Sequence, residues 1–157
     1  MLDLAPRDPA AENSVELITF RVGDQEFCID ATSVKEIRGW TPATPLPDSP
    51  PCVRGVINLR GAVLPIVDLA ARLALPPTEP TARHVVIVVW IGRRQVGLLV
   101  DAVCDIQTVP RNQLRPAPNL KSEALDGLIT ALFTAGDRMV ALLALDEVLP
   151  ALSEPTP

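Results

Sequence analysis

The sequence has no tyrosine, one histidine and three cysteines, and its aromatic content is two tryptophans and three phenylalanines. Each shortage removes a class of function. A stacking platform for single-stranded nucleic acid needs more rings than this. Metal sites draw on clustered Cys, His and carboxylate ligands, and one histidine with cysteines at 28, 52 and 104 offers no such cluster. An odd number of well-separated cysteines fits reduced thiols in a cytoplasmic setting. Cations are also short: 14 Lys and Arg stand against 19 Asp and Glu, a net charge of −5. That balance opposes a surface built to neutralise phosphates and adhesion to anionic lipid. No apolar run approaches the ~18 residues of a membrane span. The opening MLDLAPRDPAAENS lacks the basic start and apolar core of a signal peptide.

What is abundant is proline, 17 residues, and apolar side chains, 48%. A chain of 157 residues makes one domain, or two small barrels sharing a core. It buries roughly 70% of its unfolded surface, enough to fold without disulfide or metal.

Residues 1–14 read as a flexible tail, and 153–157 as a second one. Between them, short apolar runs alternate with Gly and Pro punctuation. Glu16–Val22 and Glu26–Ile29 form a hairpin about Gly23-Asp24, and Asp30 caps a helical turn before Val34. Glu36–Arg38 is a short strand, and the five prolines of 41–51 exclude regular structure there. Val56–Asn58 and Ala62–Val67 flank the turn Leu59-Arg60-Gly61, and Asp68 caps a helix over Leu69–Leu73. The linker Pro76–Pro80 follows. Val85–Ile91 turns at Gly92 into a long arm Gln95–Val103, with a short strand Ile106–Val109 after it, then a Pro-rich loop over 110–121. Leu128–Phe133 and Met139–Leu145 flank Ala135-Gly136-Asp137, and Asp146 caps a last helix, Glu147–Leu152. About ten short strands at close spacing mark a barrel or sandwich. The linker at 76–82 divides them into two sets of about five. Several are apolar on both faces, so the second face covers another barrel or a partner.

Catalytic machinery is hard to assemble from these residues. A cysteine hydrolase needs His84 within reach of a nucleophile such as Cys104, with an orienting group such as Asp105. The ordinary reading is a strand-edge histidine and a small buried thiol. Asp101 and Asp105 lie four apart and read as solvated or capping residues. Gly92–Gly97 lacks the Lys-Ser/Thr of a phosphate loop and sits between strands, so it reads as a hairpin turn. What remains is binding. Arg60 at a turn tip between apolar strands, and the charged insert Val34–Gly39, are the two local features that suggest a place for it.

Several segments occur in an order that resembles the bacterial chemotaxis coupling proteins, the CheW family: Phe27–Asp30, Val34–Gly39, Gly55–Gly61, Val63–Leu69, Val96–Asp101, Val103–Asp105 and Leu114–Pro118. The resemblance spans Val15 to about Leu149. It implies an all-β fold of two packed five-stranded SH3-like β-barrels with a few short helices, a CheW-like domain over 15–152 made of two interlocked barrel subdomains with a pseudo-boundary near 76–82. It implies a cytoplasmic adaptor, without enzymatic activity or cofactor, recruited to membrane receptor arrays. Its partners would be the regulatory domain of a CheA-type histidine kinase and the helical tip of a methyl-accepting chemotaxis receptor. The chain would be a monomer alone and part of a larger array. The alternative is a CheW-like adaptor of a non-flagellar pathway controlling pili or second-messenger synthesis. By the same resemblance Val34, Glu36, Arg60, Val86 and Val103 lie at or beside a receptor groove, Glu36 pairs with Arg60, and Asn58 and Gly61 shape the turn. Plain barrel core is the alternative for the three valines. Loop 41–55 and the 92–97 turn are candidates for the kinase surface. Cys28, Cys52, Trp40 and the proline-rich loop depart from the family pattern.

Overall fold

The computed structural model describes residues 13–117 and 127–148. Eleven strands occur among them: β1 (Ser14–Val22), β2 (Gln25–Asp30), β3 (Val34–Gly39), β4 (Val53–Leu59), β5 (Ala62–Asp68), β6 (Val85–Ile91), β7 (Arg94–Val100), β8 (Ala102–Pro110), β9 (Arg115–Pro116), β10 (Ile129–Ala135) and β11 (Arg138–Leu143). One helical turn, α1 (Leu69–Arg72), follows β5. The strands form a six-stranded sheet, β8-β1-β2-β11-β10-β9, and a five-stranded sheet, β3-β6-β7-β5-β4. The protein is mainly β. The first sheet exceeds the expected five by the two-residue strand β9, which lies in the segment expected to be loop.

The two sheets repeat one another. In each, an edge strand (β3 or β8) lies antiparallel to a hairpin (β6-β7 or β1-β2), whose second strand runs parallel to the second strand of another hairpin (β4-β5 or β10-β11). Register matches as well. Val34, Val89 and Val96 are aligned across β3, β6 and β7 as Val103, Phe20 and Phe27 are across β8, β1 and β2. Both edge strands bulge at the residue after that valine, Lys35 or Cys104. Both β4 and β10 bulge at their second residue, Arg54 or Thr130.

The linker at 76–82 therefore separates two equivalent runs of strands but does not separate the sheets. It joins β5 to β6, neighbours once removed in one sheet. Each sheet takes its central hairpin from one run and its remaining strands from the other. Parallel pairs need a crossover: β2 reaches β11 by way of all five strands of the other sheet, whereas β5 reaches β7 by way of α1, the linker and β6.

Three cores result. Leu59, Leu64, Ile66, Val86, Val88 and Leu99 fill one barrel. Leu17, Cys28, Val109, Phe133 and Val140 fill the other. The largest lies between the sheets and includes Phe20, Ile29, Val67, Leu69, Ile87, Val89, Leu98 and Leu143. Strands that read as apolar on both faces are the ones that serve a barrel on one face and this shared layer on the other.

Polar contacts pin the joint. Asp68 is buried, accepts from the Ala70 N–H as helix cap and from the Thr78 N–H at 2.9 Å, and faces Arg54 at 3.5 Å. Arg72 of α1 donates to the carbonyls of Val148 and Glu147. Asp101 ends β7 early, because its N–H donates to Arg21 and its carboxylate accepts from the Gly23 N–H. The single long arm expected over Gln95–Val103 is thus two strands, and β8 is longer than the short strand expected at Ile106–Val109. Strand β1 includes Ser14, which shortens the expected tail. Asp146 lies inside a 3₁₀ turn, Leu145–Glu147, capped from Ala144 without a side-chain bond. Most of the helix expected there, and the tail at 153–157, lie outside the described residues.

Candidate functional site

The bulges set the geometry at the edge strands. Side chains alternate along a strand, so Val34 and Ile37 belong on opposite faces. The extra residue Lys35 cancels one step. Val34 pairs with Val89 and Ile37 with Ile87, both of the shared core, while Glu36 and Arg38 pair with Val88 and Val86 of the barrel interior. Cys104 shifts β8 in the same way, so that Val103 pairs with Phe20 of the shared core and Ile106 with the buried Ile18. Val34 and Val103 pack partly buried against the shared core. Ile37 and Ile106, further along the same strands, are left 46% and 60% exposed. The margin of the shared core is therefore apolar and open on both edge strands.

Glu36 stands at the rim. Arg60 donates to it from the β4-β5 turn, and Arg38 lies 3.6 Å away. The hydrogen bond from Arg60, helped by the charges of Arg60, Arg38 and Lys35 and opposed by burial, holds the Glu36 carboxyl below its usual range. Strand β3 and the β4-β5 hairpin are at opposite ends of the sheet order, so the pair closes the sheet on itself. Arg60 has φ +53° and Gly61 φ +86°, as the tight two-residue hairpin turn requires. The Gly61 N–H donates to Asn58 Oδ1 at 2.9 Å. Holding a residue with a side chain at positive φ carries a strain, and here it aims the guanidinium across the barrel mouth.

Of the residues named from sequence, Glu36 and Arg60 touch each other, and Asn58 and Gly61 shape the turn that presents Arg60. Val34 and Val103 sit at matching places on the two edge strands. Val86 is 1% exposed among the barrel core residues, so it backs the wall from inside and offers a partner no surface. Ile37 and Ile106 escaped the sequence reading. Their signal was an isoleucine three residues past a strand-edge valine, and only the bulge turns that pattern into a shared face.

The catalytic arrangement does not assemble. His84 Nε2 faces Asp101 at 3.2 Å, and its Nδ1 accepts from the Thr81 N–H at 3.0 Å. Cys104, expected to be buried, is exposed because the bulge turns it outward. Desolvation, then the Glu26 charge, raises its pKa, the opposite of what activates a thiol nucleophile. Asp105 bonds the N–H of Ile106. Gly92, with φ +64°, turns the β6-β7 hairpin.

A family model, the CheW-like domain, matches residues 16–153. The chain belongs to that family. Its members are scaffold and adaptor proteins of chemotaxis signalling and not enzymes. The chemotaxis protein CheW of Rhizobium meliloti (strain 1021) is 54% identical over 136 residues, covering 87% of this chain and 88% of that one. The chemotaxis protein CheW of Klebsiella aerogenes is 36% identical over 134 residues, covering 85% and 81%. Among solved structures, the scaffolding protein TtCheW from Thermoanaerobacter tengcongensis superposes with a TM-score of 0.80 at 23% identity, over 89% of this chain and 90% of that one. At that identity the likeness speaks for the fold. No helix among the described residues is long and apolar enough to cross a membrane.

Proposed function

We propose that this protein couples the cytoplasmic helical tip of a methyl-accepting chemotaxis receptor to the regulatory domain of a CheA-type histidine kinase, working in the cytoplasm at membrane-bound receptor arrays. The observation that carries the reading is the open apolar margin of the shared core, with Val34 and Ile37 on one edge strand and Val103 and Ile106 on the other. An amphipathic receptor helix needs such a strip for its apolar face, the helix-in-groove mode. Glu36 and Arg60 at the rim supply charges that fix its register. Loop 41–55 and the 92–97 turn, at a barrel end, are assigned to the kinase domain, with Pro65 and the exposed Val63 beside them. Each interface would be modest, at or below ~800 Å² per partner, and assembly in an array would raise its strength through effective concentration.

Calorimetry against the kinase regulatory domain and the receptor tip of the same organism tests this, with Arg60→Ala in parallel. The reading expects a micromolar or tighter kinase complex, on the order of −8 kcal/mol, that Arg60→Ala preserves while losing the receptor tip. If no such kinase domain binds, the barrel fold stands and the assigned function fails.

A further inference from the structure

A groove of about 510 Å³ opens on the six-stranded sheet, with Phe27, Ile129, Leu132, Ala141 and Met139 as its apolar wall and the charged side chains of Glu26, Asp24, Arg21 and Arg138 also lining it. Glu26 is an unusual wall. Its side chain is only 9% exposed. One carboxylate oxygen accepts from Arg138 at 2.6 Å, and the other, Oε2, is buried with no hydrogen-bond partner among the described residues. Buried acceptors are almost always satisfied, and a carboxylate offers two oxygens with about four acceptor sites.

The other barrel shows what is missing. Gln95 holds the place of Glu26: it pairs with Trp90 as Glu26 pairs with Arg21, one residue past the aligned Val89 and Phe20. There the acceptor is satisfied from within, because the bulge residue Lys35 brings its ammonium to Gln95 Oε1 at 3.4 Å. In the six-stranded sheet the same bulge position holds Cys104, which has no cation to give. The frame is common to both barrels, and the lysine is present in one.

We propose that this groove seats a lysine or arginine side chain of a partner protein, its charged end on the Glu26 carboxylate, which turns to bring Oε2 into the groove, and its methylene stem along the apolar wall. The acceptor takes a charge-assisted bond, stronger than a neutral one. The wall suits the stem, since long basic side chains bury their methylenes and keep only the head polar. Met139, 59% exposed at the rim, gives a flexible thioether that adapts to the partner's flanking residues. This goes beyond the adaptor reading and uses none of the residues assigned to it.

The full-length, ¹⁵N-labelled protein is titrated with a blocked peptide carrying one lysine between leucines, and with the same peptide carrying norleucine in its place. The lysine peptide should shift the amides of Glu26, Leu132 and Met139, and Glu26→Gln should weaken it about tenfold or more. Cys104→Lys supplies the cation from within. It should raise Tm by a few degrees over Cys104→Met and block the peptide. Equal shifts from both peptides, or no shift from the lysine peptide at about 10 mM, overturn the proposal. So does a Cys104→Lys protein no more stable than Cys104→Met. A peptide that fails while Arg21→Ala lowers Tm would mean that Arg21 fills the site itself, which also overturns it. Neither kinase nor receptor enters the test, so its failure leaves the adaptor reading intact.

Discussion

Cys28 on β2 and Gly97 on β7 occupy the same place in their two sheets, yet the space around them differs. A Cβ on Gly97 would lie 2.6 Å from Ile66 Cδ1 and 2.8 Å from Val86 Cγ1. In the other barrel the counterparts of Ile66 and Val86 are Leu142 and Leu17, and the cysteine fits, fully buried. Gly55 on β4 and Ala131 on β10 form a second such pair. Gly55 has φ +142°, and a Cβ there would meet the Thr44 carbonyl oxygen at 2.2 Å, because loop 41–51 folds back onto β4. Strand pairing and bulges are common to both barrels. What varies is which partner fills each slot: a side chain, a loop, or, as we propose at Glu26, another protein.

Making one barrel imitate the other tests this. The largest effect is expected from Gly55→Ala, copying Ala131. Backbone blocks the new methyl, and φ is wrong for it, so a loss of about 3 kcal/mol or more is expected in urea unfolding. Gly97→Cys, copying Cys28, meets only side chains and should cost about 2 kcal/mol. A smaller loss for Gly55→Ala than for Gly97→Cys would mean that the loop over β4 moves readily, against the view that it is built into the barrel.

Next in size is the open margin. Ile37→Ser with Ile106→Ser should weaken the receptor tip about tenfold or more, each apolar anchor contributing about 1 kcal/mol or more, while stability stays within about 0.5 kcal/mol per site. Ile37→Ser or Ile106→Ser alone should give a partial loss; full affinity after both would remove the margin from the receptor site.

Arg60→Ala should change stability by less than about 1 kcal/mol, since exposed ion pairs contribute little and the substitution leaves the Asn58 turn bond in place. Glu36 has a lowered pKa, so its share of stability is present above the ordinary carboxylate range and lost as pH falls through its own lower value. Arg60→Ala should remove that acid-side loss, visible in unfolding curves below about pH 4.

Cys28 supplies the corresponding test at high pH. Burial, then the Glu26 charge, pushes its thiol up to about 12. A group that stays neutral in the fold but ionises earlier when unfolded loses stability as pH rises between the two values. The expected slope above the ordinary thiol range is about 1.4 kcal/mol per pH unit. Cys28→Ala should flatten it, and Gly97 gives the other barrel no equivalent term.

Much of this was legible in local signals. Gly23, Arg60-Gly61, Gly92 and Gly136 mark the four hairpins, and Asp30 and Asp68 cap the turns that follow β2 and β5. These are short-range events, in which a residue's own φ or a cap two residues on decides the outcome. Glu36 and Arg60 stood out as charges between apolar strands. The exposed isoleucines did not, because a bulge leaves no trace in composition and inverts the face of everything after it.

The sequence by itself therefore determined strand content, hairpin turns, the family, and the segments that carry the rim charges. Tertiary structure alone decided which hairpin belongs to which barrel, since the parallel pairs β2-β11 and β5-β7 join residues with no turn between them to announce the contact. It also decided that Val86 is core while Ile37 and Ile106 are surface, and that Glu26 keeps an oxygen without a partner among the described residues. Those outcomes depend on what packs against a strand from the far end of the chain, and alternation along the strand carries no record of that.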